Sequence, residues 1–257
     1  MPAALPTAVA IGPFTFYLYG LGLAITAWVS FSYLERRLKA RGLAVGRWPR
    51  FATAVILSGL LGARAAHVAT NWSYYHDHIG SLVALWQGGL ASFGGLALAV
   101  PTGIVLARRY WPDTPPLQFT DVIVVGLAAG WALGRVLGPQ FMVAGGGHET
   151  TQWFGLSYAG QTGRRVPVPL IQGAEDALLW LGLLWTERRG PRPGIVTGWA
   201  LTIWGVVRTI DEHWLLGEQG HTGSVAVQIA GLIVSALGVA ILIQARRRAT
   251  HLRNSPL

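Results

Sequence analysis

The chain has no cysteine, a single lysine at Lys39, and a charged share of only 12% over 257 residues. Without cysteine it has no disulfide, thiolate metal site or covalent cysteine intermediate of its own, so any thiol in its chemistry belongs to a partner. With no lysine in its last apolar segment it has no site for a retinal Schiff base. A soluble domain carries roughly 25% charged residues, so the low charge excludes an ordinary soluble surface. The histidines at 67, 76, 78, 148, 213 and 221 do not make a metal-ligand set, and no metal or other cofactor is expected. The apolar start lacks a basic region and a small-residue cleavage site, so it reads as a retained helix rather than a cleaved signal peptide.

What the chain does have is apolar length. Stretches of about twenty apolar residues, each long enough to cross about 30 Å of hydrocarbon, run over roughly 13 to 35, 51 to 70, 88 to 107, 120 to 138, 168 to 186, 194 to 216 and 224 to 245. The expected fold is an all-α integral membrane protein with seven transmembrane helices, a single membrane domain over 1–257.

The net charge of +9 could point to nucleic acid, but the basic residues are sorted by segment. Arg36, Arg37, Lys39, Arg41, Arg47 and Arg50 lie in the first loop, Arg108 and Arg109 in the third, Arg188, Arg189 and Arg192 in the fifth, and Arg246, Arg247, Arg248 and Arg253 in the tail. The intervening loops hold only Arg164 and Arg165. By the positive-inside rule the N-terminus is outside and the C-terminus cytoplasmic, and no nucleic-acid partner is expected. The fourth and fifth spans are joined by an external insert over 139–167. Its triple glycine, Gly145 to Gly147, suits a flexible loop, whereas Trp153, Phe154 and Tyr158 suit a small ordered cap at the membrane surface.

Charges inside the apolar segments call for a partner or a task, since each costs at least about 2.5 to 3.5 kcal/mol at mid-bilayer. They are Arg64 in the second span, Arg135 near the outer end of the fourth, Glu175 and Asp176 in the fifth, and Arg208, Asp211 and Glu212 in the sixth. Asp121, near the inner end of the fourth, is expected to reach the interface. Trp204, Arg208 and Glu212 are spaced by four, which stacks them on one helix face. Arg208 with Glu212 or Asp211 could simply tie the bundle together. Alternatively Arg135 and Arg208, both in the outer half of the bilayer, could clamp a phosphate, for which a phospholipid headgroup is the commonest source. The stretch Gln87 to Ala99 carries Gly88, Gly89, Gly94 and Gly95, which suit either close helix packing or the approach of backbone amides to an anion. No internal repeat of the kind found in secondary transporters is visible, which argues against ion or proton transport through Asp176, Asp211 and Glu212.

Several segments, in order, resemble the prolipoprotein diacylglyceryl transferases of bacterial inner membranes. GPFTFYLYG from Gly12 is similar to that family's first-helix pattern ending in Tyr-Gly, and GARAAHVATNW from Gly62 to its Gly-Gly-Arg segment. WQGGLASFGG from Trp86, GLAAGWALGR ending at Arg135, VPLIQGAED with Gln172 and Glu175, and GWALTIWGVVRTIDE with Trp204, Arg208 and Glu212 continue the resemblance. The chain departs from the pattern at the opening of the third span, where the family reads Phe-His-Gly-Gly and this chain Ser92-Phe93-Gly94-Gly95. It departs again after Arg135, where Val136-Leu137-Gly138 lacks an expected asparagine, at Trp204 in place of a tyrosine, and in a shorter insert.

The resemblance implies a multi-pass protein of the bacterial inner (plasma) membrane. It implies transfer of diacylglyceryl from phosphatidylglycerol to the lipobox cysteine of a preprolipoprotein signal peptide, with glycerol phosphate leaving. Tyr19, Arg135 and Arg208 would act at the lipid site, the arginines stabilising developing negative charge. Arg64, Gly94, Gly95, Gln172, Glu175, Trp204 and Glu212 would bind substrate or orient the arginines. His148 in the insert is a candidate base in place of the missing histidine, a role that wild-type turnover by His148→Ala would remove. A non-catalytic member that binds phospholipid or a partner protein, or one using another acceptor, is the alternative.

Overall fold

The computed structural model describes residues 3–12, 14–83, 90–214 and 221–253. Gln87, Gly88 and Gly89 lie outside the described residues, as do the side chains of Phe93 and His221. The elements are β1 (Ala8–Ile11), β2 (Phe14–Tyr17), α1 (Leu18–Ala40), α2 (Trp48–Thr70), α3 (Trp72–Tyr75), α4 (Ser92–Tyr110), α5 (Pro116–Leu137), α6 (Val168–Glu187), α7 (Ile195–Trp214) and α8 (His221–Arg253), with short 3-10 turns at Ile79–Val83 and Pro139–Phe141. The chain is thus mostly helical. Three stretches, Trp48–Thr70, Pro116–Phe141 and Val225–Arg247, are long and apolar enough to cross a membrane by length and composition. In α6 and α7 the charges at 175, 176, 208, 211 and 212 dilute the apolar character. The outward surface of α8 presents Ile229, Leu232, Ile233, Leu237, Val239 and Ile243, an apolar face of a size that water does not tolerate and hydrocarbon does.

Two expectations change. The first helix does not open at 13, because residues 14–17 pair antiparallel with 8–11, Ala8 opposite Tyr17 and Ile11 opposite Phe14. The run Phe14-Thr15-Phe16-Tyr17 is β-branched and aromatic, which suits a strand, and Gly12 at φ +59° supplies the left-handed residue of the turn. The fold is therefore helical with one small hairpin. Asp121, expected to reach the interface, is instead buried. Its Oδ2 accepts from the Gly194 N–H at 2.7 Å, and its Oδ1 from the Thr197 N–H at 2.7 Å and the Thr197 hydroxyl at 2.5 Å. A carboxylate from α5 thus satisfies the free amides at the start of α7 and meets the positive end of its dipole.

The chain divides into two compact units, Met1–Leu34 with Thr120–Leu257, and Glu35–Phe119. In the first, glycines set the helix contacts. Gly126, Gly130 and Gly134 of α5 meet Leu34, Ser30 and Thr26 of α1, a ladder with a step of four on each antiparallel helix. Gly198 and Gly205 of α7 meet Gly238 and Gly231 of α8 with a step of seven, backbone against backbone. Val125 and Ala128 of α5, Leu183 of α6, and Val196 and Ala200 of α7 form the apolar core. The segment 139–167 is ordered by its own hydrogen bonds. Leu156 and Arg165 exchange backbone bonds at 2.9 and 2.7 Å, Gln161 brackets the Gly146 peptide, and the buried Tyr158 hydroxyl donates to Gln140 Oε1 at 2.7 Å. Burial pushes the Tyr158 phenol above its ordinary value, with the Gln140 hydrogen bond acting in the opposite direction. In the second unit, Gly59 and Gly62 of α2 pack on Gly95 and Gly94 of α4. Trp48, Phe51, Trp111 and Phe119 form a ring cluster, tied to the Ala44 carbonyl by the Trp111 indole at 2.8 Å.

Candidate functional site

Three helices of the first unit bring polar side chains together. Gln172, Glu175 and Asp176 of α6 are spaced i, i+3, i+4, and Trp204, Val207, Arg208 and Asp211 of α7 are spaced i, i+3, i+4, i+7, so each set occupies one helix face. With Arg135 from the last turn of α5 they line one small pocket. α6 comes close to α5 here because residue 173 is glycine, where a Cβ would lie 2.8 Å from Val136 Cγ2 and 3.6 Å from Arg135 Cβ. One turn before Arg135, Trp131 stacks on Trp204, with centroids 5.1 Å apart and planes at 12°.

The pocket is an ion network with unfilled bonds. Gln172 Nε2 donates to Asp211 Oδ2 at 2.9 Å, and Glu175 lines the pocket with them. Arg208 Nη2 lies 2.8 Å from Glu212 Oε2 across one helical turn. That contact is an ion pair by distance, yet its angle leaves Glu212 Oε2 without a directed donor, although Glu212 is only 2% exposed. Arg135 Nε, Arg208 Nη1 and Glu175 Oε2 are buried with no hydrogen-bond partner among the described residues. A buried polar group without a partner costs about 1 to 3 kcal/mol, and more when charged. Two guanidiniums with free N–H groups lining one pocket are suited to an anion with several oxygens, because the planar fork fixes its orientation as well as its charge.

The other sequence-derived site residues lie elsewhere. Tyr19 is exposed in the first turn of α1 and does not line the pocket. Three residues on, Gly22 packs against the Leu137 backbone, which brings that end of α1 to the end of α5. His148 offers its carbonyl to the Val166 N–H at 3.0 Å and is not part of the pocket lining. Arg64, Gly94 and Gly95 belong to the second unit. There Arg64 is buried and donates from Nε to the Leu82 carbonyl at 2.9 Å and from Nη2 to the Ser81 carbonyl. Its guanidinium lies 5.2 Å from the centre of the Tyr75 ring. Gly94 and Gly95 form the close contact of α4 with α2. Asp176, Val207 and Asp211 join the pocket although the sequence reading gave them no part in the lipid site. For the two aspartates the signal was their place three or four residues along from Gln172 and Arg208.

A family model described as prolipoprotein diacylglyceryl transferase matches residues 6–244. Among curated proteins, a phosphatidylglycerol–prolipoprotein diacylglyceryl transferase of Synechococcus elongatus is 28% identical over 93% of this chain and 86% of its own length. One from Nitrosomonas europaea is 29% identical over 94% and 90%, and one from Symbiobacterium thermophilum 27% identical over 95% and 93%.

Proposed function

The chain belongs to the prolipoprotein diacylglyceryl transferase family, and on that premise we propose that it transfers diacylglyceryl from phosphatidylglycerol to the lipobox cysteine of a preprolipoprotein. The observation that carries this reading is the pair of free guanidinium N–H groups, Arg135 Nε and Arg208 Nη1, in one pocket. The setting is a multi-pass protein of the bacterial inner membrane with seven spans, the N-terminus outside and the C-terminus inside.

In this mechanism Arg135 and Arg208 hold the lipid phosphate and stabilise the charge that grows on it as the glyceryl carbon is displaced. Glu212 holds Arg208 in place, Glu175 and Gln172 act through Asp211, and Trp204 with Trp131 forms a flat wall. Tyr19 acts from the first turn of α1. Because the chain has no cysteine, the only thiol is the acceptor's. Its sulfur attacks the glyceryl carbon bonded to the phosphate oxygen, the carbon–oxygen bond breaks, and glycerol phosphate leaves.

The test is mass spectrometry of a fluorescent lipobox peptide incubated with purified protein and phosphatidylglycerol. The expected product is a thioether adduct of diacylglyceryl mass that requires the peptide cysteine and is lost in Arg208→Ala. Folded protein that binds the lipid without forming adduct would move the reading to a binding protein or another acceptor.

A further inference from the structure

We propose that Asp176 is the proton acceptor for the incoming thiol and, until lipid arrives, the countercharge of the two arginines. The inference rests on the transferase reading and assigns a role to a group that reading leaves idle.

The pocket holds two guanidiniums against four carboxyls, with Glu175, Asp176 and Asp211 in the lining and Glu212 on Arg208. Two of the four have a partner: Glu212 is paired with Arg208, and Asp211 accepts from Gln172. Asp176 is only 7% exposed. It lines the same small pocket as Arg135, Arg208 and Asp211. A carboxylate so placed is the natural counterion of the empty clamp.

The reaction fixes what must change. A neutral thiol and a singly charged phosphodiester become a neutral thioether and a phosphomonoester with one more negative charge, and one proton is left over. Neither an arginine nor a glutamine takes that proton, and no histidine among the described residues lines the pocket. A lipid phosphate bound at Arg135 and Arg208 takes over the positive charge that Asp176 balances in the empty pocket. Deprived of its countercharge and set beside a second anion, the Asp176 carboxylate becomes the better acceptor. The S–H proton passes to Asp176, the sulfur electrons form the S–C bond, and the C–O electrons leave with the phosphate. The proton kept in the pocket offsets the charge gained there.

The experiment compares wild type, Asp176→Asn and Asp176→Glu in the peptide assay, with phosphatidylglycerol binding measured separately on the same preparations. Loss of the acceptor is expected to lower kcat of Asp176→Asn by about 100-fold to 10,000-fold, the usual span of general-base catalysis. The KM for lipid should stay unchanged or fall, since a competitor for the arginines has been removed. Asp176→Glu should recover part of the rate. A lipobox peptide carrying selenocysteine, whose selenol is ionised at neutral pH, should return Asp176→Asn to within about tenfold of wild type, because it needs no base. Full activity of Asp176→Asn with the cysteine peptide would overturn the proposal. So would parallel loss of binding and rate without selenocysteine rescue, which marks a structural residue. If wild type binds lipid and forms no adduct, the transferase reading falls and takes the acceptor with it, an outcome distinct from an active wild type beside an unaffected variant.

Discussion

Arg208 and Arg64 are both guanidiniums in apolar helices, and they differ in what their N–H groups meet. Arg64 is bonded to two backbone carbonyls and faces a tyrosine ring, a combination that fastens the turn at Ile79–Val83 to α2. Arg208 is held by one carboxylate and keeps a buried N–H without a partner. Its contribution to transfer should therefore depend on fork geometry rather than on charge alone. Arg208→Lys is expected to slow adduct formation nearly as much as Arg208→Ala, both by about 100-fold to 1,000-fold, the loss typical of a donor to a developing oxyanion. Initial rates at saturating lipid check this, and a lysine variant within about tenfold of wild type would count against the clamp. The sequence made the intramembrane charges legible, because each breaks an apolar run. It did not say which charges meet, since helix spacing orders residues on one helix and is silent on its neighbours. Asp121 illustrates the limit: its position near a span end suggested the interface, and its three bonds at the start of α7 are visible only once α5 and α7 are packed.

At the level of elements, the long helices follow the apolar stretches closely because length and hydropathy decide them locally. The hairpin was missed for the opposite reason. An apolar run of β-branched and aromatic residues fits a strand or a membrane helix equally well, and the turn at Gly12 decides between them. Glycine positions also acquire meaning only in pairs. A Cβ on Gly205 would lie 2.7 Å from the Ser235 amide nitrogen and would also meet the Gly231 carbonyl. As these are backbone atoms they cannot rotate aside, so Gly205→Ala should separate α7 from α8 at a cost of about 1 to 3 kcal/mol. A lower midpoint of thermal unfolding in detergent tests this, and an unchanged midpoint would show the contact to be looser than described. In the segment 139–167, Tyr158→Phe removes the bond to Gln140 and leaves that buried oxygen unpaired, a loss of about 1 to 3 kcal/mol. Because the folded Tyr158 phenol sits above its ordinary value of 10.0, its contribution to stability is complete below pH 10.0 and disappears as pH rises through the folded value. Wild-type protein should therefore lose protection of this segment against proteolysis at strongly alkaline pH, with a smaller pH effect in Tyr158→Phe.

For the whole molecule, side of the membrane is a property of the chain's charge distribution rather than of any contact. Arginines crowd alternate connections, and Arg164 and Arg165 are the exception, in an intervening one. Their side chains have a local task, since Arg164 donates to the carbonyls of Trp153 and Gly155 and Arg165 to that of Thr162. Two arginines against 15 basic residues in the alternate segments leave the positive-inside reading in place. A chain without cysteine makes orientation directly measurable. Thr151→Cys in the insert is exposed, and a Cβ at Gly46 in the first basic loop meets nothing within 4 Å, so single cysteines should be tolerated at both. Three proposed spans separate them, which puts them on opposite faces. A membrane-impermeant maleimide applied to intact spheroplasts should label Thr151→Cys and leave Gly46→Cys unlabelled until the membrane is opened. Labelling of both from outside would mean an even number of crossings between them and would sink the seven-span arrangement. The reverse pattern would keep the number and invert the protein, placing the arginine pocket at the cytoplasmic end, where a secreted acceptor could not reach it from outside.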